Sequence, residues 1–143
     1  MNTTEKLARE IIDAFHADDL PRIGTLVTED FVDHGAPPWA PQGRAGYLQI
    51  MGFLKNVLRV RYEIHEVVAD GDLVACRATV HGLHNTGHLG FPATGKPYAM
   101  PTMHMYRAEG GLLAEHWGVR DELSVLWQVG ALRPPAPIPL SEA

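Results

Sequence analysis

The clearest place for chemistry in this chain is an aspartate at the end of a strand-like run. Residues 111–121 read Gly-Leu-Leu-Ala-Glu-His-Trp-Gly-Val-Arg-Asp. In extended backbone successive side chains point to opposite faces, so Leu113, Glu115, Trp117, Val119 and Asp121 line one side together. A carboxylate that shares a face with Trp, Val and Leu loses hydration. Desolvation disfavours its charged form, raises its pKa and suits it to accept and return a proton. The pattern points to proton transfer on a small apolar molecule.

A histidine joins this face if the preceding turn is read from its glycines. With Gly110 and Gly111 as the two central residues, Glu109 pairs with Leu112, His104 stands across from Trp117 and Thr102 across from Val119. A turn one residue longer would flip the partner strand and bring Met103, Met105 and Arg107 there instead. The two-glycine turn is preferred, being the commonest hairpin connection. A His beside an Asp in an apolar hollow can orient the carboxylate, pass a proton or bond a substrate oxygen. A mutually satisfied buried pair has the same sequence pattern. His81, His84 and His88 crowd another region, but on a strand the first two face opposite sides, and no Cys or carboxylate completes a tetrahedral set. They read as loop and pocket polar groups, and no metal is expected.

The elements that must position these residues follow from periodicity. Asn2 or Thr3 can cap a helix carrying Leu7, Ala8, Ile11, Ile12 and Phe15 at helical spacing, and Asp19 can cap a second, Leu20 to Val27, with Pro21 in its first turn. Residues 31–34 form a brief strand, and Gly35, Pro37, Pro38, Pro41 and Gly43 a loop that carries Trp39 as a candidate lid. Tyr47, Ile50, Met51, Leu54, Val57 and Leu58 make a third helical stripe. The period then drops to two over 61–69 and 72–84, joined by Asp70-Gly71, a strong hairpin dipeptide. A Gly- and His-rich stretch, 83–97, interrupts the sheet before a strand from Tyr98 to Arg107. After the Asp121 strand come a short helix, Glu122 to Gln128, a stop at Gly130 and a Pro-rich tail. Helices followed by antiparallel strands give an α+β domain with helices covering one face of a curved sheet. Residues 1–132 are read as one domain and 133–143 as an extended, poorly packed tail.

Composition narrows the partners. The 143 residues carry 17 acidic and 12 basic side chains, a formal charge of -5, and the basic ones are scattered, so nucleic acid is not an expected partner. No apolar run reaches the length of a membrane span, and Met-Asn-Thr-Thr-Glu-Lys lacks a signal peptide's apolar stretch, so a cytoplasmic protein without membrane contact is expected. The single cysteine, Cys76, alternates with Val74, Ala78 and Val80 as a small buried hydrophobe.

Several segments resemble one known family. Gly82-Leu83-His84-Asn85-Thr86-Gly87, followed by Gly90-Phe91-Pro92-Ala93-Thr94-Gly95-Lys96, is similar to the "G-T-H-x-G...G-x-P-P-T-G-K" signature of the SnoaL-like polyketide cyclases. Tyr106 to Trp117 resembles their "R-x-x-D-G-K-I-x-E-x-W", and Asp121 stands where that motif places its catalytic Asp. Phe31-Val32-Asp33-His34 is similar to "Y-V-x-H", and Leu126 to Leu132 to the closing "L-L-x-Q-L-G-A". The similarity spans about residues 5 to 132, in the family's order. It departs at Gly111, at Ala93 in place of the second Pro, and at Met51, where some cyclases carry a polar residue.

The resemblance implies a nuclear transport factor 2-like fold: a cone-shaped α+β barrel in which three helices and a curved sheet enclose one apolar pocket. It implies ring closure by an intramolecular aldol reaction with no metal or organic cofactor, the Asp acting as base and then acid. On that reading Asp121 takes a proton from a carbon between carbonyls and His104 or His34 bonds the enolate oxygen. Trp117, Phe15, Met51 and Leu54 form apolar walls, unless they are ordinary core, Trp39 closes the mouth, and His84 of the shared signature reaches the cavity. His34, facing the Pro-rich loop, is equally readable as a surface residue. The fold also hosts epoxide hydrolases, for which Arg77 and Asp33 are possible partners of Asp121, and proteins that bind an apolar metabolite unchanged. Proteins of this type often pair through the outer sheet face, so a homodimer or higher homo-oligomer is expected, with Met103, Met105 and Val80 supplying contact.

Overall fold

A computed structural model describes residues 1–142. Helix α1 (Thr3–His16) starts at Asn2, whose side chain accepts from the backbone N–H groups of Thr4 and Glu5, and α2 (Leu20–Gly24) starts at Asp19, which accepts from Arg22. Each cap satisfies donors that the first helical turn leaves unpaired. Helix α2 stops at Gly24 rather than running to Val27, because Val27 already belongs to β1 (Val27–Asp33). Helix α3 (Gly43–Asn56) follows the Pro-rich loop. Then come β2 (Arg61–Asp70), β3 (Leu73–Leu83), β4 (Pro97–Glu109), β5 (Leu112–Arg120) and α4 (Glu122–Gln128). Residues 133–139 are exposed and have no regular structure, ahead of a 3₁₀ turn at Leu140–Glu142. Among the described residues no helix is long and apolar enough to cross a membrane.

The strands form one sheet in the order β1-β5-β4-β3-β2, antiparallel except that β1 runs parallel to β5. The arrangement is the expected α+β one, with three N-terminal helices, but β1 and β2 remain as edges and the sheet is open. Register irregularities in the β2–β3 and β4–β5 pairings bend it, as bulges do. Ile11, Phe15, Ile23, Phe31, Leu113 and Val125 belong to the core between helices and sheet.

Two features of the β4–β5 hairpin decide which side chains face that core. Gly110 and Gly111 have φ of 59° and 83°, the left-handed pair that a tight two-residue turn requires, and Glu109 pairs with Leu112 as the sequence predicts. One step further the register slips: Ala108 faces Leu113, but Arg107 faces Glu115, leaving Ala114 as an extra residue. Beyond this bulge His104 pairs with Gly118 instead of Trp117, and Met105 pairs with Trp117. The inner face of β4 is therefore Tyr98, Met100, Thr102, His104 and Tyr106, and that of β5 is His116, Gly118 and Arg120. Val119, 75% exposed, marks the outside.

Candidate active site

The parallel pairing of β1 with β5 sets Asp33 beside His116. Inside the sheet, His116 Nδ1 donates to Asp33 Oδ1 at 2.7 Å, His116 Nε2 meets His104 Nδ1 at 2.9 Å, and His104 Nε2 meets Thr102 Oγ1 at 3.0 Å. The two imidazoles are stacked, with centroids 5.2 Å apart, and Tyr106 packs against His116. Gly35 adds its N–H to Asp33 Oδ1, so that oxygen takes two hydrogen bonds, while Oδ2 takes none among the described residues. Arg120 donates through Nη1 to the Gly35 carbonyl and leaves Nη2 without a protein partner.

Glycine is what allows these groups to approach. A Cβ on Gly35 would lie 2.8 Å from the backbone N of Gly118, and one on Gly118 would lie 3.2 Å from His116 Cε1, 3.3 Å from His104 Nδ1 and 3.4 Å from Arg120 Nη2. A strand glycine commonly marks a close approach of this kind.

Counting donors along the row gives it two self-consistent proton arrangements. Thr102 has one hydroxyl hydrogen and sits 3.2 Å from the Ala78 carbonyl. When that hydrogen goes to Ala78, Thr102 Oγ1 accepts from His104 Nε2–H, His104 Nδ1 must accept from His116 Nε2–H, and His116 is an imidazolium paired with Asp33 carboxylate. When Thr102 turns its hydrogen onto His104 Nε2, every bond as far as His116 Nε2 reverses and His116 is neutral.

Burial alone would raise the Asp33 pKa. The His116 hydrogen bond and charge, the Gly35 N–H and the Arg120 guanidinium outweigh it and hold the carboxyl below the usual carboxylate range. His104 is pushed down to about 3 by burial, with His116 and Arg120 acting in the same direction, and is neutral at ordinary pH. Burial drives the Tyr62 hydroxyl up to about 12 and raises those of Tyr47 and Tyr106, which share a 3.0 Å hydrogen bond. These three phenols stay protonated.

The row opens on two adjoining cavities. The first, about 270 Å³, lies under α1 and α3 with Met51, Ile64 and Val74 in its wall. The second, about 350 Å³, lies beneath the Pro-rich loop and α4, with Trp39, Phe53 and Val125 in its wall. Asp33, Tyr62, Arg120, Ile50 and Leu54 border both. An apolar hollow with a few converging polar groups is the form small-molecule sites take.

A model of the SnoaL-like polyketide cyclases matches residues 5–129. The chain belongs to this family. It is 22% identical over 134 residues to the aklanonic acid methyl ester cyclase DnrD of Streptomyces peucetius, covering 91% of this chain and 92% of that one. IdmH of Streptomyces antibioticus, described as a candidate polyketide cyclase, is 30% identical with a TM-score of 0.74 over 89% of this chain and 98% of its own. TsrD of Streptomyces laurentii, 22% identical with a TM-score of 0.79 over 91% of this chain and 96% of its own, shares the fold.

The residues singled out from this SnoaL-like sequence separate into two groups. His104 lies in the polar row, Met51 and Leu54 line the first cavity, Leu54 also lines the second, and Trp39 borders the second. The others lie elsewhere. Asp121 is exposed and caps α4, its Oδ1 accepting from Ser124 N at 3.0 Å, which corrects the expectation that its carboxylate is buried on an apolar face. Past the Ala114 bulge Glu115, Trp117 and Val119 share a face, but it is the outer one, and Leu113 lies buried on the other side. Trp117 stacks there on His34, 5.1 Å between centroids, and His34 bonds Glu115 on the exterior. Arg77 makes a two-pronged pair with Glu66 on the outer face and is not brought to Asp121. Phe15 is core, outside both cavity walls. His84 is fully buried, its Nδ1 accepting from Thr94, and ties the 84–95 loop together without lining either cavity. His81 pairs with Glu63, away from His84. His116, Arg120 and Tyr62 were not foreseen. The usable signal was Gly118, a glycine inside a strand flanked at two-residue spacing by a His and an Arg.

Proposed function

We propose that this protein closes a ring in a small carbonyl compound by intramolecular aldol-type addition, with Asp33 as the proton-transfer group. The observation that carries the reading is the free Asp33 Oδ2 at the junction of two apolar cavities, backed by the His116–His104–Thr102 row. Family membership supports cyclase chemistry, and the curated relative DnrD is named as a cyclase of an ester.

In this mechanism Asp33 Oδ2 takes the proton from a carbon flanked by two carbonyls, and Arg120 Nη2 donates to the oxygen on which enolate charge collects. The carbanion attacks a third, remote carbonyl carbon of the same molecule, a C–C bond forms, and the π pair moves to oxygen. That alkoxide recovers the proton from the Asp33 carboxylic acid. Substrate and product are isomers, and the reaction as written consumes nothing else. General acid/base help of this kind contributes roughly two to four powers of ten, and holding both carbonyls in one cavity adds the benefit of orientation. His116 and Arg120 keep Asp33 ionised before the proton arrives, and the apolar surroundings favour its neutral form afterwards.

The test uses a panel of β-keto esters bearing a pendant ketone placed to close a six-membered ring. Asp33→Asn keeps the shape and removes the base, so its kcat is expected to fall at least about a hundredfold with the near-ultraviolet circular dichroism unchanged. A folded Asp33→Asn protein that turns over at the wild-type rate rejects the mechanism.

A further inference from the structure

The two cavities meet along a waist made by five shared residues, of which three are polar: Asp33, Tyr62 and Arg120. Each presents a free polar atom there among the described residues: Asp33 Oδ2, Arg120 Nη2 and the Tyr62 hydroxyl make no hydrogen bond to protein, and none is sealed from space. Away from the waist the walls are chiefly apolar. The charged lining residues beyond it sit at the edges, with exposed Arg9 and Asp13 of α1 on the first chamber and exposed Glu122 of α4 on the second. The first chamber also takes in His104 and His116 of the row and the bonded Tyr47–Tyr106 pair, and the second His88 and Tyr98, so what sets the waist apart is its pair of charged groups, Asp33 and Arg120, held between largely apolar compartments.

Size sets what each compartment holds. A buried apolar cavity of about 150 Å³ accepts a benzene molecule. Chambers of about 270 and 350 Å³ each have room for a substituted ring.

We propose that the ligand of this site is two-ended: one ring-sized apolar group in each chamber, joined by a short oxygenated segment that lies across Asp33, Tyr62 and Arg120. This deepens the cyclase reading and rests on it, since the oxygenated segment is the part that reacts. The Tyr62 phenol and Arg120 supply donors to two oxygens, and Asp33 supplies an acceptor to whatever acidic hydrogen lies between them, the arrangement a 1,3-dicarbonyl presents. The two lobes gain hydrophobic burial on either side and so hold the dicarbonyl in register with the base.

Two probes that cannot cyclise test this directly. Dibenzoylmethane has a phenyl ring on each side of a 1,3-dicarbonyl, and benzoylacetone has a methyl in place of one ring. Binding is read by ultraviolet absorbance titration of each diketone with the full-length protein. Wild type is expected to bind dibenzoylmethane at least tenfold more tightly. Filling the first chamber with Ile12→Trp, or the second with Ala36→Trp, should each weaken dibenzoylmethane at least tenfold while changing benzoylacetone less than threefold, because its single ring still has the other chamber. Ile64→Trp and Leu89→Trp repeat the two fillings at other wall positions should a first variant melt early.

Equal affinity of the two probes for wild type overturns the proposal, as does a filling variant that weakens both probes alike or neither. Turnover does not enter these measurements. Loss of two-ended binding with an Asp33-dependent reaction rejects this inference alone; two-ended binding with turnover independent of Asp33 rejects the catalytic reading alone.

Discussion

The protein contains two histidine–carboxylate pairs built from the same two dipeptides. Asp33-His34 on and just beyond β1 lies alongside Glu115-His116 on β5, so the alternation of side chains yields Asp33 with His116 on one face and His34 with Glu115 on the other. Their bond lengths are nearly equal, 2.7 and 2.8 Å. Their surroundings are not. The inner pair is 10% and 5% exposed and abuts a cavity, a second His and an Arg; the outer pair is 24% and 42% exposed and shares its carboxylate with Arg107. The same pairing becomes a buried group facing a cavity or a solvated surface contact according to the side of the sheet it falls on, and water screens the outer pair more than the inner one.

Substituting the carboxylates one at a time breaks or upholds this contrast most directly. Asp33→Asn should lower kcat by about two to four powers of ten, whereas Glu115→Gln should leave it within about twofold, since water screens the outer pair and it faces no cavity. Comparable losses in both would erase the distinction. The positive group of the inner face comes next: Arg120→Gln should reduce kcat by about a hundredfold or more, as removal of a donor to a developing oxyanion does. A loss expressed in KM alone would assign Arg120 to substrate binding instead.

Acid titration probes the inner row through stability. His104 stays neutral in the fold down to about pH 3, whereas an unfolded chain takes that proton near 6.5. The unfolded state therefore binds more protons across this window, and stability falls as pH drops from 6.5 towards 3, by about 2 kcal/mol at pH 5. Asp33 acts lower down: its depressed carboxyl contributes stability above its ordinary value of 3.8 that is lost as pH falls through the folded value. His104→Gln should flatten the Tm–pH curve between neutrality and pH 5, and an unchanged curve would remove His104 as its source. The smallest effect belongs to Asp121→Ala, which removes a helix cap worth about 1 kcal/mol and should leave kcat unchanged. A large loss of turnover there would return the base to the position the family motif suggests.

Periodicity and capping made the architecture readable: Asn2 and Asp19 cap where expected, Gly110-Gly111 turns where expected, the β2–β3 turn falls on Gly71-Asp72, one residue beyond the expected Asp70-Gly71, and the α3 stripe delivers Met51 and Leu54 to the cavity. The site was legible only in part because it depends on which face of β5 is the inside, and that was decided by one extra residue. Ala114 carries no bulge signature in its side chain, and two buried neighbours in a row, Leu113 and Ala114, look like an ordinary strand start. An apolar face containing Trp117, Val119 and Leu113 was read as the pocket wall. Trp117 and Val119 instead lie on the outer surface, Trp117 roofed by His34, while the buried face carries His116, Gly118 and Arg120, residue types that resemble a solvated edge until Asp33 is brought alongside them.

That single extra residue also sets which groups the strand turns towards the cavity. Deleting Ala114 would rotate the remainder of β5 by half a turn, sending Glu115, Trp117 and Val119 inward and His116 and Arg120 out to water, with no other letter changed. A one-codon insertion or deletion upstream of the centre can therefore exchange one complete set of functional groups for another, a larger step in chemistry than several point substitutions inside the cavity would achieve.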